Sequence, residues 1–126
     1  WDRVDAKTGK PRDLHVEAAL ECSDFARGPC PAVRTKVQEV EGARREGLVN
    51  CRYFTLDRHT GRAPFRVGAD NECRAVVCVA GEGEIEWNGK RTPLATGDTV
   101  LLPAEVAAAT CYPKGEITVL ECGLPG

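Results

Sequence analysis

The chain has 126 residues, 42% of them hydrophobic and 29% charged, with a net charge of −2. That length supports one domain with a core of its own, and the near-neutral balance argues against a nucleic-acid surface. No apolar run is long enough to span a bilayer and the first residues are too polar for a signal peptide, so a cytoplasmic protein with no membrane partner is expected.

The seven cysteines are odd in number and form no CxxC pair, so neither a full disulfide framework nor a zinc ribbon fits. Several lie among apolar strand residues, where a reduced thiol packs as a small hydrophobe. A redox role for Cys73 or Cys78 would need a lowered thiol pKa, and no histidine lies near either in sequence. The chain contains no methionine and opens on Trp1. Both facts fit a piece of something longer.

In chain order, Trp1 to Arg12 is a polar entry loop with a turn at Thr8-Gly9. Asp13 is placed to N-cap a helix over about 14–25. Glu17, Glu21 and Asp24 share its wet face, and Val16, Ala19 and Leu20 form a side expected to dock on a sheet. Gly28-Pro29-Cys30-Pro31 ends it. Val33 to Asn50 is charged and poor in apolar residues, a weak strand or extended arm broken at Gly42. Arg52 to Arg58 has strand composition, Thr60-Gly61 turns, and Pro64 to Val67 forms a short strand. Gly68 to Asn71 is a loop.

The stretch from Arg74 to Ala104 is the most ordered in pattern. Ala75 to Ala80 is an apolar run suited to a strand buried on both faces. Gly81 and Gly83 supply a loose turn, and Glu84 to Trp87 alternates as a strand with one wet face should. Asn88-Gly89 is a strong hairpin signal, because a type I′ turn needs positive φ at both central residues. Val100 to Leu102 follows a Gly97-Asp98 turn and stops at Pro103. An antiparallel meander is expected here. Beyond it, Ala107 to Cys111 and Ile117 to Cys122 are expected to pair around Pro113 to Gly115. The layout is one helix followed by about eight short strands, a mainly β chain forming a small sandwich or barrel.

On these strands, Gly97-x5-Pro103-Ala104 resembles the second signature of the cupin superfamily, and the apolar strand running into Gly81-Glu-Gly83 resembles the end of the first. The resemblance implies a single cupin-like jelly-roll β-barrel preceded by one α-helix. The expected division is an N-terminal segment, residues 1–50, and a degenerate cupin-like barrel, residues 51–126. The metal ligands do not carry over: Ala108 stands where the second signature places histidine, and Arg74 about where the first places glutamate. The two histidines, His15 and His59, are far apart in sequence, so no metal is expected to bind this barrel.

Four segments in order, Trp1-Asp-Arg-Val, Arg12 to Leu20, Tyr53 to Leu56 and the degenerate signature, resemble the C-terminal part of class I, bacterial, zinc-dependent mannose-6-phosphate isomerases. That resemblance covers essentially the whole chain. It implies a parent enzyme interconverting mannose 6-phosphate and fructose 6-phosphate, with zinc and the catalytic arginine held upstream of this chain. No catalytic or metal-binding role is thereby transferred to any residue here. The implied partners are an N-terminal catalytic module of the same parent chain and a sugar phosphate at the module interface. Homodimerisation through an edge strand is left open. The alternative is a free-standing, metal-free cupin that binds a small ligand or dimerises.

Arg66, Arg74 and His15 are the candidate contacts on the substrate side. Arg66 and Arg74 flank the 67–73 loop and could clamp a phosphate bidentately, although pairing with Asp70 or Glu72 explains them equally well. His15 sits at a helix start, where anions are attracted, against the plainer reading of a ring that faces water. His59, just before Thr60-Gly61, is expected to be a solvated turn residue. Glu82, Glu84 and Glu86 read as a solvated strand face.

Overall fold

The computed structural model describes residues 4–11, 14–29, 31–32, 34–106 and 108–125. The chain forms two compact units, residues 1–33 and 34–126.

In the first unit, the carboxylate of Asp5 accepts the backbone N–H groups of Lys7 and Thr8, both at 2.9 Å, which closes the turn at Thr8-Gly9. The one helix among the described residues, α1, spans Val16–Glu21, with His15 at the N-cap position and no side-chain cap bond. The expected cap, Asp13, lies outside the described residues. Expected to run to Phe25, the helix stops early because local side chains compete for the backbone. The Ser23 hydroxyl donates to the Ala19 carbonyl at 2.8 Å, and the Asp24 carboxylate accepts the Ala26 N–H at 3.1 Å. A helix of six residues without a cap gains little on its own. Val16 and Leu20, expected on a docking face, are both exposed.

Among the described residues the second unit has ten strands: β1 (Lys36–Val40), β2 (Ala43–Asn50), β3 (Thr55–Gly61), β4 (Phe65–Val67), β5 (Arg74–Ala80), β6 (Glu82–Trp87), β7 (Lys90–Ala95), β8 (Thr99–Leu102), β9 (Ala109–Pro113) and β10 (Ile117–Gly123). They form a six-stranded sheet in the order β1-β2-β3-β10-β5-β8 and a four-stranded sheet in the order β4-β9-β6-β7. Every pairing is antiparallel. Among the described residues the sheets are not joined edge to edge into a closed barrel, but the strand order fits a jelly roll.

Three expectations are corrected here. The stretch from Arg74 to Leu102 is not a meander within one sheet. Instead β5 pairs β8 in the larger sheet, while β6 and β7 form a hairpin in the smaller one. Likewise β9 and β10, expected to pair with each other, fall in different sheets. The charged stretch expected as a weak strand or arm is the β1–β2 hairpin, turning at Glu41-Gly42. The Asn88-Gly89 turn is as expected, with φ of 54° and 75°.

Alternation explains the core. Along β10 the inward residues are Ile117, Val119, Glu121 and Gly123. Val76 and Cys78 of β5, Ile85 of β6, Leu94 of β7 and Phe65 of β4 are among the other residues of the apolar interior. Each fully buried aliphatic side chain of this kind is worth about 1.5–3 kcal/mol.

The change of sheet between β5 and β6 turns on Gly81, whose φ is +82°, and a Cβ there would overlap the backbone carbonyl of Glu116. Gly89 also has positive φ, but open space surrounds its missing Cβ. Gly81→Ala is therefore expected to cost more than about 2 kcal/mol and Gly89→Ala about 1 kcal/mol. Urea unfolding of the two variants checks this, and equal losses would remove the close approach as the cause.

Candidate functional site

The inner face of the larger sheet is apolar at one end and polar at the other. Register sets the polar end, because residues directly opposite across antiparallel strands share a face. Glu121 lies opposite Asp57 and Val76, and Val119 opposite His59 and Cys78. His59 in turn lies opposite Arg45 of β2. Arg74, at the start of β5, is opposite Gly123, which is opposite Thr55. The Arg74 side chain crosses Gly123 to donate to the Thr55 hydroxyl at 3.0 Å. A Cβ at Gly123 would collide with the guanidinium, so glycine is required where the arginine passes.

Of these residues, Arg45, His59, Arg74 and Glu121 line a cavity of about 660 Å³. Its floor holds two buried titratable groups, His59 at 5% exposure and Glu121 at 6%. Nε2 of His59 is 3.5 Å from Oε2 of Glu121, and Nε of Arg74 is 3.9 Å from Oε1. Glu121 also accepts the backbone N–H of Gly68 at 3.2 Å. The His59 ring stacks on Phe65, with centroids 5.9 Å apart and planes within 3°. Neither ring nitrogen of His59, nor Nε of Arg74, has a hydrogen-bond partner among the described residues.

His59 corrects the sequence reading outright. Thr60-Gly61 is no turn, since β3 runs through it, and His59 points inward. The misleading feature was the Thr-Gly pair. Glu121 had a legible signal that went unused: Ile117, Val119 and Glu121 share one face of an alternating strand.

The three candidate contacts part company. Arg66 and Arg74 both line the cavity. Arg74 is mostly buried and also ion-paired to Glu72, whereas the Arg66 side chain is 76% exposed and stands 4.0 Å from an equally exposed Asp70. His15 belongs to the first unit and is exposed. Elsewhere, Glu84 and Glu86 are not simply solvated: Arg91 bridges them at 3.3 and 2.8 Å and lies 4.2 Å over the Tyr112 ring. The six described cysteines are free, and only Cys78 and Cys111 are buried. Burial pushes the Cys78 thiol up and, with Cys78 beside it, takes Cys111 to about 11. Both therefore stay protonated near neutrality, the opposite of a reactive thiolate.

The cavity does not suit zinc. Among the described residues no three histidine, cysteine or acidic side chains converge as a ligand set. One imidazole and one carboxylate share the floor with guanidinium groups, which are donors only and stay protonated. Arg74 brings a positive charge to the lining and not a ligand.

Two antiparallel sheets in this order fit the jelly roll of the cupins. The same fold occurs in an RmlC-like cupin from Shewanella frigidimarina, with a TM-score of 0.63, 17% identity and coverage of 74% of this chain and 86% of that one. The mannose 6-phosphate isomerase of Bacillus subtilis matches at a TM-score of 0.78 and 22% identity, over 97% of this chain and 38% of that one. YvyI of Bacillus subtilis (strain 168), provisionally assigned as a mannose-6-phosphate isomerase, is 25% identical over 95% of this chain and 37% of its own length. The family model for the cupin domain of mannose-6-phosphate isomerase matches residues 45–121, and the chain belongs to that family. It spans well under half the length of these two Bacillus relatives. No described helix is long and apolar enough to cross a membrane.

Burial holds the His59 imidazole below its ordinary pKa; Glu121 and Asp57 pull it up, and Arg45 pushes it further down. In the unfolded chain the ring takes a proton near its ordinary value of about 6.5. Below that pH the unfolded state binds more protons, so His59 is expected to cost stability as pH falls through 6. Urea midpoints at pH 7.5 and 5.5 test this: His59→Gln is expected to flatten the decline, and an unchanged slope would exclude the ring as its source.

Proposed function

We propose that this chain is the C-terminal, non-catalytic cupin of a class I, zinc-dependent mannose-6-phosphate isomerase in the cytoplasm. In this reading the parent enzyme interconverts mannose 6-phosphate and fructose 6-phosphate. Zinc and the proton-transfer groups belong to an N-terminal catalytic module of the same parent chain. The present barrel buries an apolar face of that module and closes one side of the sugar-phosphate cleft.

One observation carries the reading: the family match over residues 45–121 falls on strands that bring Arg74 to the cavity and, among the described residues, no converging set of metal ligands. A metal isomerase needs converging donors to polarise its sugar oxygens, and those described here do not supply them. An exposed apolar stripe adds support. Val79 and Leu101, 42% and 63% exposed, share the outer face of the β5–β8 pair with Ala75 and Val77. Such a stripe suits an interdomain contact.

A second reading is a free-standing cupin, and the 86% coverage of the Shewanella protein favours it, since that chain is of similar size. The reading frame upstream of Trp1 separates the two: a Gln-x-His element with further Glu and His ligands belongs to the isomerase, and a nearby start codon to the free module. In a coupled assay with mannose 6-phosphate and added zinc, the purified chain is expected to show no turnover above background. Zinc-dependent turnover that survives repurification would overturn the non-catalytic assignment.

A further inference from the structure

We propose that the outer face of the six-stranded sheet is an interface between two copies of this chain, packed sheet on sheet with β10 on the midline. Neither functional reading is needed for it: the property tested is assembly, and a failed dimer leaves the isomerase assignment where it stands. In that assignment a module of the parent chain takes the second copy's place on the same face.

Register lays this face out row by row. Val49, Leu56, Cys122, Ala75 and Leu101 lie opposite one another in turn across β2, β3, β10, β5 and β8. None of these is charged; Leu101 is 63% exposed and the others are half-buried. The next row is Glu46, Arg58, Leu120, Val77 and Thr99, apolar in its middle. The outer face of the smaller sheet is built differently, with Arg66, Thr110, Glu86 and Arg91 in one row. The same chain thus makes one wet outer face and one apolar one. An unbroken apolar run such as β5 suits burial on both sides, yet Ala75, Val77 and Val79 on its outer side stay partly open. That side lacks its cover.

Charge selects the cover. Glu46 is held between Arg44 and Arg58, and Glu39 lies opposite Arg44, so the acidic and basic groups of this face answer one another. An acidic peptide, a nucleic acid or an anionic lipid surface finds no uncompensated cation here, whereas an identical face meets it without net repulsion. Position points the same way. Among β2, β3, β10, β5 and β8 the middle strand is β10, so a two-fold axis along it lays β5 and β8 over the partner's β3 and β2. In the first row Ala75 then faces the partner's Leu56, small against large, Leu101 faces the partner's Val49, and Cys122 faces its own copy. The strands run nearly aligned across the contact, as packed sheets do. Five strands about 4.8 Å apart and about 20 Å long give a face of roughly 400 Å² in projection. Side-chain relief and the rim of Thr99, Thr118 and Arg58 enlarge it towards the roughly 800 Å² per partner of a standard interface.

Sedimentation velocity of the full chain tests this. At about 100 µM a dimer of the 13.6 kDa chain is expected, dissociating on dilution. Leu101→Glu and Val79→Glu, exposed changes that leave the fold intact, are each expected to weaken the dimer at least about tenfold. Arg66→Glu, on the wet face of the smaller sheet, is expected to leave it unchanged. Labelling with excess iodoacetamide, mapped by mass spectrometry, locates the contact. Cys122 is expected to react at least about fivefold more slowly in the dimer than in the diluted monomer, while the exposed Cys22 reacts alike in both. A chain that stays monomeric at the higher concentration, a dimer that withstands both glutamates, or Cys122 labelling indifferent to assembly would each overturn the interface.

Discussion

A carboxylate on the inner face of a sheet is the constraint around which the larger sheet is arranged. Glu121 falls in the alternating row of Ile117 and Val119, so the register that buries those two also buries its charge. Desolvating a carboxylate costs several kcal/mol unless charge and hydrogen bonds offset it. The compensation comes from two directions: the Arg74 guanidinium and the Gly68 N–H from the loop after β4. Removing one member of such a buried group typically costs about 3–5 kcal/mol, because the other charge is then left uncompensated.

Once Glu121 is placed, neighbouring choices follow. Arg74 can reach Thr55 only across a residue without a side chain, which fixes glycine at 123. The Gly68 N–H must point inward, and its φ of +88° is open to glycine and strained for other residues. Phe65 has to lie flat against His59, and the short β4–β9 pairing holds it there. A one-residue slip of β10 would turn Glu121 outward and bury Leu120 and Cys122 instead, breaking all of these contacts at once. Register and electrostatics specify the same structure.

Local chemistry was legible in the sequence and long-range partnership was not. Asn88-Gly89 could be read because its turn needs only two residues in a rare conformation. The sheet change at Gly81 could not, since a glycine between two strands looks the same whether they pair or part. The strand β7 was missed because Lys90, Arg91 and Pro93 are the residues that discourage further pairing at an exposed sheet edge, and they hide strand composition. His59 was misplaced because Thr-Gly so often marks a turn, whereas here Gly61 is small because Gly42, Ala43 and Phe65 crowd it. Of the cavity, Arg66 and Arg74 were legible as cations near a loop. Glu121 and His59, 62 positions apart in sequence, meet only through the pairing of β3 with β10.

The arginine at position 74 also explains how this interior stays polar with no metal-ligand set among the described residues. A glutamate there would add a second carboxylate beside Glu121, and two such groups close together would need a cation or a shared proton. A guanidinium removes that need by supplying the positive charge from within the chain, permanently and at fixed geometry. For a metal ion to enter, Arg74 would have to leave Glu72, Glu121 and Thr55 together, so the existing compensation opposes it. The same arrangement leaves the imidazole without a partner, because Arg74 is committed elsewhere and Glu121 stands beyond hydrogen-bond length. The internal ion pair thus settles the charge of the cavity but not its hydrogen bonding, and what remains unsatisfied is neutral in charge and specific in direction.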